Sequence, residues 1–573
     1  PDAFSPVDPV DLGGDGGGDV DLAVGMPDPV NGTLTSPPTL ASSSLIAANI
    51  STQKSTDKGQ TYTRNNLGNV TGGIPADDRQ WEEFHGQNNV YLLYRTLAPA
   101  VTQIQRSTDG GLTFGPAQTA GQIGQVGYID VHQATGTVYI SGSTGQVCHS
   151  TITLPTGEAA VYQCTQAATD PNGVAHIFFI VKVADDGTPN GTVYAAYSND
   201  HDIFLVHSTD RGTTWSQPVR VSNGPETKTS VFPWIETGPT PGSVGVAWYG
   251  TSSATNDDNA NWKVYFAQSF NATAETPTFR QAEVSDHFIH GSNISEGGLT
   301  GTANRNLIDY FQISFDPTGA AVIGFADDHN DFDGHTYVTR QISGPKISGD
   351  GKTSVPDPGT PPPAETGPLP RAADVGGLAG SQVTDFRQDV TNGLVAVVPV
   401  DDPLDITSVK YSCESLPGGD AAIVATMKVS NLSTVPAGSN WRMHFASNAP
   451  FAGISPTGDY SFAVSDRGDQ FYFLANTDTP STPTFTYGTA VRNSDGTLAY
   501  TSKGTADCGS FDTTNNTITV KVALSKLNPL VTHGPVIADG SVLAGLRGST
   551  FTTGANGKRD ITRGGTEFTF GSC

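Results

Sequence analysis

Four short stretches of this chain hold side chains whose types and spacing could do chemistry. In Asp77-Asp78-Arg79-Gln80-Trp81-Glu82-Glu83, acids, a guanidinium and an indole sit within a few residues. Asp78 suits a general acid, Arg79 a bidentate partner for an anionic group, and Trp81 a stacking face for a ring. The competing reading is an Asp–Arg pair that fixes the entry of a strand. Trp234-Ile235-Glu236 is followed by Trp248-Tyr249-Gly250. A carboxylate such as Glu236 beside a phenol such as Tyr249 makes the phenol a better nucleophile. Aromatic core packing competes. Ser285-Asp286-His287-Phe288-Ile289-His290 offers two imidazoles, a weak metal signal without a third ligand. The last group runs from Arg305 through Asp309-Tyr310 to Asp327-Asp328-His329-Asn330-Asp331-Phe332-Asp333-Gly334. Here Arg305 and Asp309 are candidate substrate-binding residues and Tyr310 is a second candidate nucleophile. Asp327, Asp328, Asp331 and Asp333 form an oxygen-rich set suited to calcium. Their spacing is not that of an EF-hand loop, so a solvated turn competes.

The elements that must position these residues show themselves through an internal repeat. Ser55-Thr56-Asp57-Lys58-Gly59-Gln60-Thr61-Tyr62 aligns with Ser107-Thr108-Asp109-Gly110-Gly111-Leu112-Thr113-Phe114 and with Ser208-Thr209-Asp210-Arg211-Gly212-Thr213-Thr214-Trp215. In each, the Asp can accept hydrogen bonds from its own turn, and the Gly two places on supplies the positive φ of a tight hairpin. The terminal aromatic is free to pack against a neighbouring sheet. Asp57 and Asp109 lie 52 residues apart and Asp109 and Asp210 lie 101 apart, close to two such steps. A decayed copy is expected near residues 155–165, where a hairpin would carry Cys148 and Cys164. A period of about fifty residues matches a four-stranded sheet per repeat, giving six sheets up to about Gly344. The three repeat aspartates are structural, and ligands belong at the opposite rim, where the innermost strands begin.

Eight prolines between Gly344 and Ala373 mark a stiff linker. The organisation read from the chain is an irregular segment over 1–38, a propeller over 39–344, a linker over 345–375 and a β-sandwich over 376–573. Abundant Gly (66) and Pro (38) with only 15% charged residues favour short strands and tight turns over long surface helices. A formal charge of −26 without a basic run excludes nucleic acid. No stretch approaches the length of an apolar membrane-spanning helix. Five scattered cysteines without a CxxC pair fit one or two disulfides in an oxidising compartment, Cys148–Cys164 being the best local bridge. The pairing of Cys413, Cys508 and Cys573 stays open. No charged-then-apolar leader opens at Pro1, which fits a secreted, extracellular protein whose signal has been removed.

The repeat resembles the Asp-box, or bacterial neuraminidase repeat, of the sialidase superfamily. The segments ADDRQW, WKVYFAQS, VSDHFIH and IDYFQISFDPTGAAVIGFADD look like a bacterial secreted sialidase-like group. The resemblance covers some 300 residues and implies an all-β, six-bladed Asp-box β-propeller, with each box between the third and fourth strands of a blade. It implies hydrolysis or recognition of extracellular glycans, with no required cofactor and room for structural calcium. In a hydrolase, Asp78 would be the acid, Glu236 with Tyr249 or Tyr310 the nucleophile system, and Arg79 and Arg305 the clamp. The sequence departs from the family in lacking the Arg-Ile-Pro signature, and Arg106 and Arg211 stand in or beside boxes. Arg79, Arg305 and Arg340 are left as a candidate arginine triad. The alternative is a non-catalytic binding, adhesion or structural protein. Two carboxylates facing each other over a pocket favour hydrolysis, whereas a mouth plugged by apolar side chains favours a scaffold or a binder. The C-terminal domain resembles accessory β-sandwiches, with Tyr460, Phe471 and Tyr472 as candidate sugar-facing aromatics and core packing as the equal competing role for all three.

Overall fold

A computed structural model describes residues 20–571 apart from 30, 47–48, 60, 66–76, 152–160, 286, 297–306, 308–310, 328–334, 349–350, 357–370, 389, 391–401, 448–451, 455–459, 465–468, 479–481, 493–497, 533, 553–557 and 563–566. Among the described residues the structure is nearly all β, with a single α-helical turn at Leu524–Leu527. The chain divides into two compact units, one of residues 7–357 with 453–463 and another of 358–452 with 464–573.

The first unit is a series of antiparallel meanders. Their first strands are Val20–Val24, Asp77–His85, Val126–His132, Ile180–Ala184, Thr229–Thr237 and Phe311–Phe315, and sheets 1 to 6 take their numbers from this order. Sheets 1 to 5 each place four strands side by side in chain order. Gly and Asp/Asn-rich turns separate runs of β-branched and aromatic residues, which is why the chain folds back every few residues.

The three repeats occupy the hairpins between third and fourth strands of sheets 1, 2 and 4. In sheet 2, Asp109 Oδ1 accepts from the Leu112 and Thr113 amides, and Oδ2 accepts from the Thr113 hydroxyl at 2.6 Å. Ser107 Oγ accepts from the Gly111 amide, and Gly111 sits at φ 89°. The turns at Asp57 and Asp210 repeat this pattern. Burial works to raise the Asp109 carboxyl, but the hydrogen bonds from Thr113, Ser107 and Leu112 outweigh it and hold the group below its ordinary value. In sheet 3, where a decayed copy is expected, Cys148 and Cys164 are cross-strand partners and form a disulfide. Residues 152–160 of that hairpin lie outside the described residues.

Two further features were not read from the sequence. In sheet 5, Asn271 takes the part of the box aspartate: Ser269 Oγ donates to its Oδ1, and the Thr278 amide and hydroxyl also donate to that atom. Among the described residues, sheet 6 has three strands from its own stretch of chain. It is extended by Ser461–Val464, which pairs with His335–Ser343, and then by Ala452–Ile454. Tyr460 and Phe462 are fully buried there, each with its ring 5.5 Å from that of Phe266.

Side chains from the first strands of sheets 2, 3 and 5, and from the first strand of sheet 4 and the residues entering it, meet one another in two layers. Trp81 lies 5.4 Å from Tyr128, 5.6 Å from Phe178 and 5.5 Å from Trp234, ring to ring, and all four are buried. Two residues beyond Trp81, Tyr128, Ile180 and Trp234 come Glu83, Asp130, Lys182 and Glu236. The Lys182 ammonium is 3.4 Å from Glu236, 3.9 Å from Asp130 and 4.0 Å from Glu83. Sheets that are not neighbours in sequence thus touch at two levels, which requires first strands running the same way around a common axis. That is the arrangement of a β-propeller.

The second unit contains two antiparallel sheets. One orders Val383–Thr384, Ile406–Ser415, Ala421–Val429, Thr517–Ala523 and Cys508–Asp512; the other runs from Leu498–Thr505 to Arg559–Ile561. Both contribute to one apolar core, with Val409, Tyr411 and Met427 from the first and Trp441, Phe445 and Phe473 from the second. The sugar-facing role expected for three aromatics does not survive their burial. Phe471 belongs to this core, Tyr472 is 4% exposed, and Tyr460 lies in the first unit. Cys413 is disulfide-bonded and Cys508 is free and exposed.

Candidate functional site

Strand direction fixes which residues share an end of the propeller. Each first strand runs toward the end that carries the hairpins of the internal repeat, because the repeat joins strands three and four of an antiparallel meander. The starts of first strands, the hairpins between second and third strands, and the connections between sheets therefore lie at the other end, termed here the distal face.

Glu236 stands next to last in its strand and so belongs to the end of the repeat hairpins, where it faces Lys182. Burial works to lower the Lys182 ammonium, and Asp130, Glu236 and Glu83 outweigh it, so the lysine stays charged. Burial also pushes the Glu83 carboxyl up to about 8 and that of Asp130 up to about 6. This group is a largely shielded ion cluster toward the end of the repeat hairpins.

Tyr249 stands elsewhere. It pairs with Val231 while Glu236 pairs with Gly245, so the two candidates are separated by four residues of strand, roughly 13 Å. The Tyr249 ring packs between Phe232 and Phe311, its hydroxyl accepts from the Ala326 amide at 3.2 Å, and burial holds the phenol far above its ordinary value. The structure does not bring Glu236 and Tyr249 together.

On the distal face, Asp77, Asp78 and Arg79 open the first strand of sheet 2. The register shifts between Asp78 and Trp81, and Arg79 adopts φ 52°. A bulge here re-aims the side chain, and the Arg79 guanidinium lies 4.9 Å from the centre of the Phe178 ring. Sheet 5 shifts at the matching level, between Val231 and Trp234, with Phe232 at φ 58° and its ring 6.0 Å from Phe178. Both carboxylate oxygens of Asp77 are buried without a hydrogen-bond partner among the described residues, and burial pushes this carboxyl up to about 6. Trp81 points inward and forms part of the aromatic layer.

The densest polar group on this face was not among the sequence candidates. His176 precedes the first strand of sheet 4, Asp200 sits in that sheet's second hairpin, and Glu296 lies in the connection from sheet 5 to sheet 6. One imidazole nitrogen of His176 and one carboxylate oxygen from each acid lie within 4.8 Å of one another. His176 Nδ1 is 2.5 Å from Glu296 Oε2, and its Nε2 is 2.8 Å from the Asn172 carbonyl. Asn256 Nδ2 donates to Glu296 Oε1 at 2.9 Å, and Asn256 Oδ1 accepts from the Ile294 amide. The Glu296 hydrogen bond raises the His176 imidazole to about 9. Burial and then the Glu296 charge raise the Asp200 carboxyl. Side-chain exposures of 20% for His176 and 26% for Glu296 leave the group open to solvent.

Comparison with known protein families and with curated proteins returns no match. Among solved structures the chain is similar to the Dos1 propeller, at 9% identity and a TM-score of 0.35, covering 89% of this chain and 93% of that one. It is also similar to an exo-β-1,3-galactanase from Phanerochaete chrysosporium, at 12% identity and 0.29, covering 80% and 96%. A six-bladed fucose-binding lectin from Aleuria aurantia matches at 12% identity and 0.29, covering 49% and 80%. None of these assigns an activity to the chain.

The remaining candidates resolve as follows. Asp327 is buried and its Oδ2 is 2.7 Å from His287 Nε2, while His290 Nε2 is 3.0 Å from the Asn293 carbonyl, so the two imidazoles serve different partners. Arg305, Asp309, Tyr310, Asp328, Asp331 and Asp333 lie outside the described residues. Arg340 is paired with Asp316 at 2.7 Å. No helix among the described residues is long and apolar enough to cross a membrane.

Proposed function

We propose that the first unit is a six-bladed, closed propeller that recognises a glycan on its distal face, and that the second unit is a β-sandwich accessory domain of a secreted protein. The observation that carries this reading is the aromatic layer of Trp81, Tyr128, Phe178 and Trp234, which blocks the axis below that face. A ligand can then approach from one side only and must be held by groups at the rim. His176, Asp200, Glu296 and Asn256 supply acceptors and donors matched to sugar hydroxyls, and Arg79 adds a cation near the Phe178 ring. Two carboxylates at the rim repel an acidic sugar, so a neutral glycan fits better than sialic acid.

Hydrolysis is a second reading, favoured by the proximity of Asp200 to Glu296 and by burial that holds the Asp200 carboxyl up, as an acid requires. A glycan array followed by product analysis on each bound glycan separates the two. Retention of intact glycan supports recognition, and release of a reducing sugar that Asp200→Asn abolishes supports hydrolysis. An array without any bound neutral glycan contradicts both.

A further inference from the structure

His176, Asp200 and Glu296 come from three separate connections of the propeller, yet their ligand atoms converge within 4.8 Å. Two carboxylates this close repel one another, and the hydrogen bond from the His176 imidazole goes to Glu296 rather than to Asp200. The His176–Glu296 pair satisfies only part of the group. Asp200 Oδ1 is shielded from solvent and has no hydrogen-bond partner among the described residues. Ser198 Oγ accepts from the Asp200 amide, so that hydroxyl fixes the backbone of this residue and leaves the carboxylate to face the cluster. Outside it, the Asn172 carbonyl lies at hydrogen-bond distance from His176 Nε2, and Asn256 supports Glu296. A carbonyl on the far nitrogen of an imidazole and an amide on a carboxylate are the outer partners that orient metal ligands.

We propose that His176 Nδ1, Asp200 and Glu296 bind a divalent cation of the zinc or manganese class. Mixed nitrogen and oxygen donors without a thiolate suit these ions, whereas calcium and magnesium sites are built from oxygen alone. Three protein ligands leave coordination positions open, and partial exposure of His176 and Glu296 gives the ion an entry path. The open positions can take a vicinal diol of a sugar; this last step rests on the glycan reading, and the cation site does not.

Titration calorimetry of the full chain with zinc chloride and with manganese chloride, in the absence of glycan, tests the site. One equivalent of either ion should bind, at least tenfold more weakly to His176→Gln and to Glu296→Gln, with both variants keeping the wild-type circular dichroism spectrum. Asp200→Asn, which likewise exchanges a charged oxygen ligand for a neutral one, should weaken binding to a similar extent. Absence of stoichiometric binding, or binding that His176→Gln and Glu296→Gln leave unchanged, overturns the proposal. A cation that binds while glycan binding ignores chelator leaves the site standing and removes the diol step alone.

Discussion

At the scale of single residues, the most informative groups are buried carboxyls. Glu83 is pushed up to about 8, and Asp130 and Asp21 to about 6, in each case mainly by burial. Lys182, Glu236 and Tyr128 face Glu83 and Asp130, and Glu82 faces Asp21. A carboxyl whose folded value is raised binds its proton more tightly in the native state than in the unfolded one. Its contribution is therefore complete below the unfolded value near 4 and is lost as pH climbs through 6 to 8. The melting temperature of the propeller should fall between pH 5 and pH 8, by several degrees for each ~1–2 kcal/mol lost. Glu83→Gln should flatten that decline, because the amide stays neutral and can still accept from the Phe84 amide. A melting temperature that rises over this interval would refute the assignment. The residues of this cluster were legible only in part. Trp81-x-Glu83, Tyr128-x-Asp130 and Trp234-x-Glu236 repeat an aromatic-x-acid pattern at about blade spacing, a signal that would have found them. Read singly, Glu236 looked like a partner for the nearest tyrosine, whereas strand register sends it to the opposite end.

At the scale of elements, the sequence disclosed what is local and concealed what is not. The three repeats are eight-residue turns whose hydrogen bonds close within themselves, so their chemistry is written in one stretch. The Asn271 version escaped notice because its amide replaces the carboxylate and Thr278 lies seven residues on rather than four. The strand Ser461–Val464 could not be inferred from the repeat, since it comes from beyond the proline-rich stretch. Its packing carries a testable consequence. Phe462 is fully buried against Phe266, so Phe462→Ala should destabilise the propeller by ~3–5 kcal/mol. A chain ending at residue 345 should unfold at markedly lower denaturant concentration than the full chain. Equal midpoints in urea for these three proteins would show that the strand adds nothing.

At the scale of the whole molecule, a formal charge of −26 and a rim of carboxylates set the kind of partner that can approach. The two ends of the propeller differ in kind. One is closed by Lys182 and its acids beneath the box hairpins; the other gathers His176, Asp200, Glu296 and Asn256 from separate connections. That gathering was hidden from sequence because residues as distant as His176 and Glu296 are joined only by the radial arrangement. The proposed ligand meets the distal end and not the end of the repeat hairpins. The most direct test is a binding titration of an array-positive neutral glycan against Asp200→Asn and Glu296→Gln, with Lys58→Ala and Arg211→Ala at the box turns as controls. Losing a hydrogen bond to a charged group costs ~1.5–3 kcal/mol, so the two distal variants should bind about 10- to 100-fold more weakly while the controls match wild type. Loss of binding in Lys58→Ala or Arg211→Ala, with Asp200→Asn and Glu296→Gln unaffected, would contradict it.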